Sequence, residues 1–373
     1  MKKKFAVVLA CLVVVMMGLV GCSKAPSQSQ EEVKNVIVMI GDGFGPNHLA
    51  NAKKYFGVDK FAFEDHYVCD VTTYSKDSEI TDSAAAATAL ATGQKVNNGE
   101  IGRHQGQDIE NLMEIAIKQG KKTGILTSDS LCGATPAGFS AHTDGRDYVP
   151  YADEMAQDQC KSGIDIFVGA RAGVYDENFL SFLQRGYTYE TDNTSILNQL
   201  NHNSKYILQY SDLKSNYNHI LENSWADWVD YPALITKVLQ YLDNENGFCL
   251  MIENGYIDKY SHNNNFESTM HEVMYFAQMI EAVYQFCAGR DDTVVMITAD
   301  HETGGLQLGD TKESLTDELY TSDGHTATNV NLFIKYAVDH KQKNYSAVID
   351  NTDIFRLGKQ LLEQGTFNFD LLG

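Results

Sequence analysis

The sequence predicts an α/β protein, a single large domain with a mainly parallel central sheet flanked by helices on both faces. Three observations carry this. Apolar runs of strand length recur along the chain, and stretches with helical periodicity separate them. The runs are apolar throughout rather than alternating, as in strands buried on both faces. From about Val33 onward some 340 residues remain, enough for one large domain with insertions or for two. No Pro/Gly/Ser-rich linker divides them, so residues 33–373 are kept as one body.

In chain order, strands are predicted at Val36–Ile40, Thr123–Thr127, Ile164–Val168, Phe248–Ile252, Thr293–Thr298 and Val330–Ile334. Helices are predicted at Ala84–Ala91, Ile109–Gln119, Pro232–Leu242 and Phe266–Cys287. Alanine is the best helix former, and Pro232 suits a first helical position, where its missing N–H costs nothing. From Gly173 to about Asp230 the composition shifts toward Asn, Tyr and Ser with few clear sheet strands. That segment is expected to form a peripheral subregion or cap.

The start of the chain reads differently. Lys2, Lys3 and Lys4 precede an apolar run from Phe5 to Val20 that ends in Leu19-Val20-Gly21-Cys22. The run is short for a membrane span, and the tetrapeptide resembles the bacterial lipobox, in which cleavage leaves a lipid-bearing cysteine. Residues 1–21 are therefore expected to be a lipoprotein signal peptide, and 22–32 a lipidated Cys22 with a polar tether. The mature chain would sit outside the cytoplasm in a bacterial cell envelope, touching the membrane through that lipid.

Charge and cysteines narrow the partners. The net charge is 29 − 50 = −21, and −24 without the three leader lysines. Such an acidic chain argues against nucleic acid as the main partner and is compatible with several divalent cations. Of seven cysteines, Cys69, Cys132, Cys160, Cys249 and Cys287 follow the leader, with no CxxC. Neither a zinc knuckle nor a redox motif is present, and an odd number leaves at least one thiol unpaired within a chain.

In folds of this class ligands bind at the carboxyl ends of the parallel strands, so the polar residues that follow each apolar run are the candidates. Asp42 follows the first run inside Gly41-Asp42-Gly43, where glycines permit a tight turn. After Phe248–Ile252 come Glu253, then Asp258 and His262, four apart and so on one helical face, a sound geometry for zinc. Thr293–Thr298 leads into Ala299-Asp300-His301, and His325 precedes the last strand. Ser83, in Thr81-Asp82-Ser83-Ala84-Ala85-Ala86-Ala87-Thr88, opens the alanine-rich helix. Unpaired N–H groups there favour an alkoxide and a bound phosphate, which makes Ser83 a candidate nucleophile. Taken alone the stretch also reads as an N-cap on a core helix, and Asp82 is given only a role in shaping the helix start.

Six strings now stand in one order: Ile40-Gly41-Asp42-Gly43, Asp82 to Thr88, Ala134-Thr135-Pro136-Ala137, Glu253 to His262, Thr298 to Gly305, and His325-Thr326-Ala327. In this order and spacing the sequence resembles the alkaline phosphatase family over Val36 to Ile334. The resemblance implies hydrolysis of phosphate monoesters through a phosphoserine on Ser83, with two Zn2+ and one Mg2+. It implies Asp258, His262 and His325 as ligands of one zinc, Asp42, Asp300 and His301 as ligands of the other, and Asp42, Thr135 and Glu253 around magnesium. Arg146, eleven residues beyond Thr135, matches the arginine that grips phosphate, and Lys259 follows the ligand residue Asp258 as in the bacterial members, where without its usual acidic partner it would contact phosphate through water.

Two departures bear on these expectations. Where relatives carry Asp or His just before Ala-Thr-Pro, this chain has Gly133, so Lys259 is expected to lack its usual acidic partner. Only 23 residues separate His301 from His325, which implies a short crown region and leaves the oligomeric state, homodimer or otherwise, open. Alternative readings are a superfamily phosphodiesterase or sulfatase, and a non-catalytic phosphate- or metal-binding lipoprotein. Against a sulfatase, Ser83-Ala84-Ala85-Ala86-Ala87 lacks the Pro and Arg that such a site requires.

Overall fold

The computed structural model describes residues 32–146, 148–223, 228–336 and 348–366, so the predicted leader and Cys22 lie outside the described residues. Among the described residues ten strands form one sheet. In chain order these are β1 (Asn35–Gly41), β2 (Tyr67–Thr72), β3 (Lys122–Ser130), β4 (Ile166–Ala170) and β5 (Tyr187–Thr191). Then come β6 (Lys205–Tyr210), β7 (Phe248–Asn254), β8 (Thr293–Thr298), β9 (Val330–Tyr336) and β10 (Ile349–Asp350). Across the sheet they run β10-β2-β9-β8-β1-β7-β3-β4-β6-β5. Only β9 is antiparallel to its neighbours, β8 and β2.

The core explains the apolar runs. Val36 to Ile40 on β1 are fully buried, and each such side chain contributes about 1.5–3 kcal/mol through burial. Register then sets where the strands end. Ile40 lies opposite Thr298 of β8 and Glu253 of β7, and Thr127 of β3 also pairs with Glu253. Four neighbouring parallel strands thus finish level and deliver their next residues to one edge of the sheet.

The predicted elements are found, most of them with shifted ends. The helix expected from Ile109 begins at Leu112, because Asn111 caps it: its Oδ1 accepts the N–H groups of Met113 at 2.9 Å and Glu114 at 3.1 Å. The segment 173–230, expected to be a peripheral subregion or cap with few clear strands, contains two strands of the main sheet. β5 and β6 lie in that segment and extend the main sheet in parallel at its edge. β5 is mostly half-buried, and an edge strand with one wet face carries the polar residues that hid it in the composition. The helix Asn351–Gln364 and the strands β2 and β10 were not predicted at all. No helix among the described residues is long and apolar enough to cross a membrane. All five cysteines of the described chain are free and buried.

Candidate metal centre and nucleophile

Ser83 is the first residue of the helix Ser83–Thr92. Asp82 caps that helix, its Oδ1 accepting the Ala85 N–H at 2.9 Å. Ser83 is nearly buried, and its hydroxyl lies 3.1 Å from His301 Nε2. Ala84 to Ala87 are buried against the short helix Ala134–Gly138, where a Cβ on Gly138 would come within 2.8 Å of the Ala87 Cβ. Small side chains on both helices allow this approach. Asp82 does more than shape the helix start. Its Oδ2 accepts the Gly99 N–H at 3.0 Å and the Arg146 guanidinium at 3.1 Å, which holds Arg146 beside the serine.

Two groups of ligand atoms stand next to Ser83, each gathered within 4.8 Å: Asp42, Asp300 and His301, and Asp258, His262 and His325. In the first, His301 Nε2 lies 3.1 Å from Asp300 Oδ2 and 3.6 Å from Asp42 Oδ1. In the second, His262 Nε2 is 3.1 Å from His325 Nε2 and 3.3 Å from Asp258 Oδ1. The rings of His301 and His325 stack with centroids 3.5 Å apart, so the groups adjoin. Gly43, at φ +74°, lets the loop after β1 pass close by, since a Cβ there would lie 2.9 Å from the Asp258 Cα.

Neighbouring oxygens fix which imidazole nitrogen faces inward. His262 Nδ1 donates to the Asp323 carbonyl and His325 Nδ1 to that of Thr81, the latter at 3.0 Å. His301 Nδ1 meets the Thr303 hydroxyl at 3.2 Å, and that hydroxyl donates to Asp258. Each ring therefore turns its Nε2 toward the cluster, the nitrogen a metal would take. Thr303 was missed by the sequence reading, although it follows His301 by two residues.

A third group consists of oxygens alone. Thr135 Oγ1 lies 3.4 Å from Asp42 Oδ2, and the Thr127 hydroxyl donates to Glu253. The residues fit cations. Asp42 Oδ1 and Asp300 Oδ2 are buried without a hydrogen-bond partner, a costly state for carboxylate oxygens that a shared cation removes. Burial raises the Asp42 carboxyl well above its usual range, helped by repulsion from Asp300, Asp258 and Glu253. Burial, then the Asp129 charge, pushes Glu253 up to about 8.

All the predicted ligands thus converge, and Arg146 with them. The expectation of an unpaired Lys259 is corrected: its ammonium pairs with Asp129 at the end of β3. The family resemblance pointed to position 133 for such an acid, and the acid stands four residues earlier.

The sequence profile of the alkaline phosphatase family matches residues 33–175 and 169–352. Alkaline phosphatase 3 and alkaline phosphatase 4 of Bacillus subtilis (strain 168) are 33% and 31% identical, over 75% and 77% of this chain and 63% and 65% of their own lengths. The match therefore spans less than two thirds of either relative. Among solved structures, alkaline phosphatase from the Antarctic bacterium TAB5 is similar at TM-score 0.76 and 24% identity, covering 90% of this chain and 99% of that one. A cold-active alkaline phosphatase from the psychrophile Shewanella sp. is similar at TM-score 0.76 and 26% identity, covering 88% and 100%. With the profile matched over most of its length, and with the nucleophile and ligand residues of the six strings gathered at one sheet edge, the chain belongs to the alkaline phosphatase family.

Proposed function

We propose that this chain hydrolyses phosphate monoesters to an alcohol and inorganic phosphate through a phosphoserine on Ser83, at a site of two zinc ions and one magnesium. The observation that carries the reading is Ser83 at a helix N-terminus, 3.1 Å from His301 Nε2 and flanked by two three-residue ligand groups. Asp42, Asp300 and His301 would hold one zinc, and Asp258, His262 and His325 the other; mixed imidazole and carboxylate donors suit it. Asp42, Thr135 and Glu253 offer oxygen only, which suits magnesium. A variant of the TAB5 alkaline phosphatase holds magnesium, which supports this assignment.

Bound cations would supply charge neutralisation of the dianionic ester and stabilise the serine and leaving-group oxygens as negative charge shifts between them. The chain's own groups do the rest. The Ser83 oxygen attacks phosphorus as the ester P–O bond breaks; the alcohol leaves with a proton and a phosphoserine remains. Backbone N–H groups of the first helical turn and the Arg146 fork bind the phosphoryl oxygens and keep them in line. Water then attacks the same phosphorus from the opposite side, Ser83 leaves, and two displacements retain configuration.

Ser83→Ala tests the reading on an aryl phosphate monoester at alkaline pH, with and without chelator. Turnover should disappear with the fold intact, and no phosphorylated protein should be trapped. Activity that persists in Ser83→Ala, or after exhaustive zinc removal, removes the mechanism. Export and lipid attachment at Cys22 belong to the same proposal, supported by Lys2 to Lys4 and the Leu19-Val20-Gly21-Cys22 string. Incorporation of labelled palmitate, lost in Cys22→Ala, checks that part.

A further inference from the structure

At the end of β3 the pairing with β4 slips between Leu126 and Ser130, and Asp129 sits in the irregular stretch. Its Oδ1 accepts the Ser130 N–H at 2.7 Å and the Lys259 ammonium. Two glycines make room for it. A Cβ on Gly255 would lie 3.0 Å from the Asp129 Cβ, and one on Gly133 would lie 3.3 Å from Asp129 Oδ2 and 2.8 Å from the Ser130 carbonyl oxygen. Position 133, where the family resemblance expects an acid or a histidine, is thus closed to a side chain by the Asp129 carboxylate and its own turn.

Lys259 stands next to the ligand residue Asp258 in the helix Tyr256–His262, with its ammonium 4.8 Å from the Tyr256 ring centre. If Lys259 faces bound phosphate as the family resemblance implies, a free ammonium there adds a full positive charge beside it. Paired with a carboxylate, it adds little.

We propose that Asp129 is the positioning residue for Lys259: its carboxylate takes the space that a side chain at 133 would fill, fixes the ammonium, and restrains its pull on phosphate. The proposal rests on the reading of the Ser83 site as a phosphate site. The Lys259 and Asp129 side chains are 42% and 27% exposed, so solvent keeps the effect modest.

The test is calorimetric titration of the metal-loaded full chain with inorganic phosphate, for wild type, Asp129→Asn, Lys259→Ala and the double variant. Metal content per chain is measured on each. Asp129→Asn should bind phosphate about 2- to 5-fold more tightly, with kcat falling as product leaves more slowly, and Lys259→Ala should bind more weakly by a similar factor. The double variant should match Lys259→Ala, because Asp129 acts through the lysine, and metal content should be unchanged throughout. Unchanged affinity in Asp129→Asn overturns the proposal. So does an Asp129→Asn effect that survives without Lys259, or loss of a cation, which would make Asp129 part of the metal centre. Those outcomes leave the phosphomonoesterase reading standing, whereas a wild-type chain that binds no phosphate removes both.

Discussion

The two three-residue ligand groups are built from different parts and buried to different depths. Asp300 and His301 are 0% exposed at their side chains and Asp42 11%, while Asp258, His325 and His262 are 13%, 16% and 38% exposed. The inner group comes from the ends of β1 and β8, adjacent strands whose register fixes both carboxylates. The outer group comes from one short helix and from His325 in a two-residue bridge with Thr303. Strand ends deliver ligands that cannot retreat into water; a helix and a loop deliver ligands that can. An emptied inner group is left with repelling carboxylates in a dry place, whereas an emptied outer group can hydrate.

The comparison breaks or sharpens through substitution first. Asp300→Asn should lower kcat/KM by about 10²- to 10³-fold, because it removes charge stabilisation where no water can replace it. Elemental analysis should show a lost cation that added zinc does not restore. His262→Ala should cost about 10-fold and recover with excess zinc, as expected of a ligand near solvent. Equal, unrescued losses at both positions would show that exposure does not set the difference. Arg146→Ala, which spares both groups, should weaken phosphate binding about 10-fold through lost charge-assisted hydrogen bonds, while a phosphoserine still forms. Trapping of that intermediate checks it.

Chelation should separate the groups in time. Metal release followed with a chromogenic chelator should show a faster phase from the outer group and a slower one from the inner, and a single phase would contradict the contrast. The smallest effect is expected outside both groups, at His142. Burial disfavours its charge, but hydrogen bonds to Asp158 and Glu114 outweigh burial and push it up to about 10. A raised imidazole stabilises the fold fully below about pH 6.5 and loses that contribution as the pH climbs through about 10. Unfolding free energies from urea titrations should therefore fall between pH 6 and pH 10.5 by about 1 kcal/mol more in wild type than in His142→Gln.

What the sequence revealed follows the same contrast. β1, β7 and β8 were legible because strands buried on both faces must be apolar, and β8 was found with the predicted ends. Asp42, Glu253, Asp300 and His301 were legible because each follows such a run closely, as Asp42 follows Ile40 by two residues, whereas Thr135 was reached only through the family resemblance. β5 escaped because a half-wet edge strand carries polar residues. The pairing of Lys259 with Asp129 escaped because 130 residues separate them and no spacing rule reaches that far. A signal was nevertheless present: Ser128-Asp129-Ser130 follow the predicted strand Thr123–Thr127, the same placement that singled out Asp42.

The way the inner ligand group joins distant parts of the chain has a kinetic meaning. The Gly43 N–H donates to Asp300 Oδ1 at 3.1 Å across 257 residues of chain, and the Ser83 contact with His301 spans 218. Closing loops of that length comes late, after local helices and neighbouring strands have formed. The inner ligand group therefore does not exist in a chain still being made, even one complete as far as β7. Cations cannot nucleate this fold. They bind once the two ends of the sheet's central strands have met, and from then on they oppose every opening that would part them.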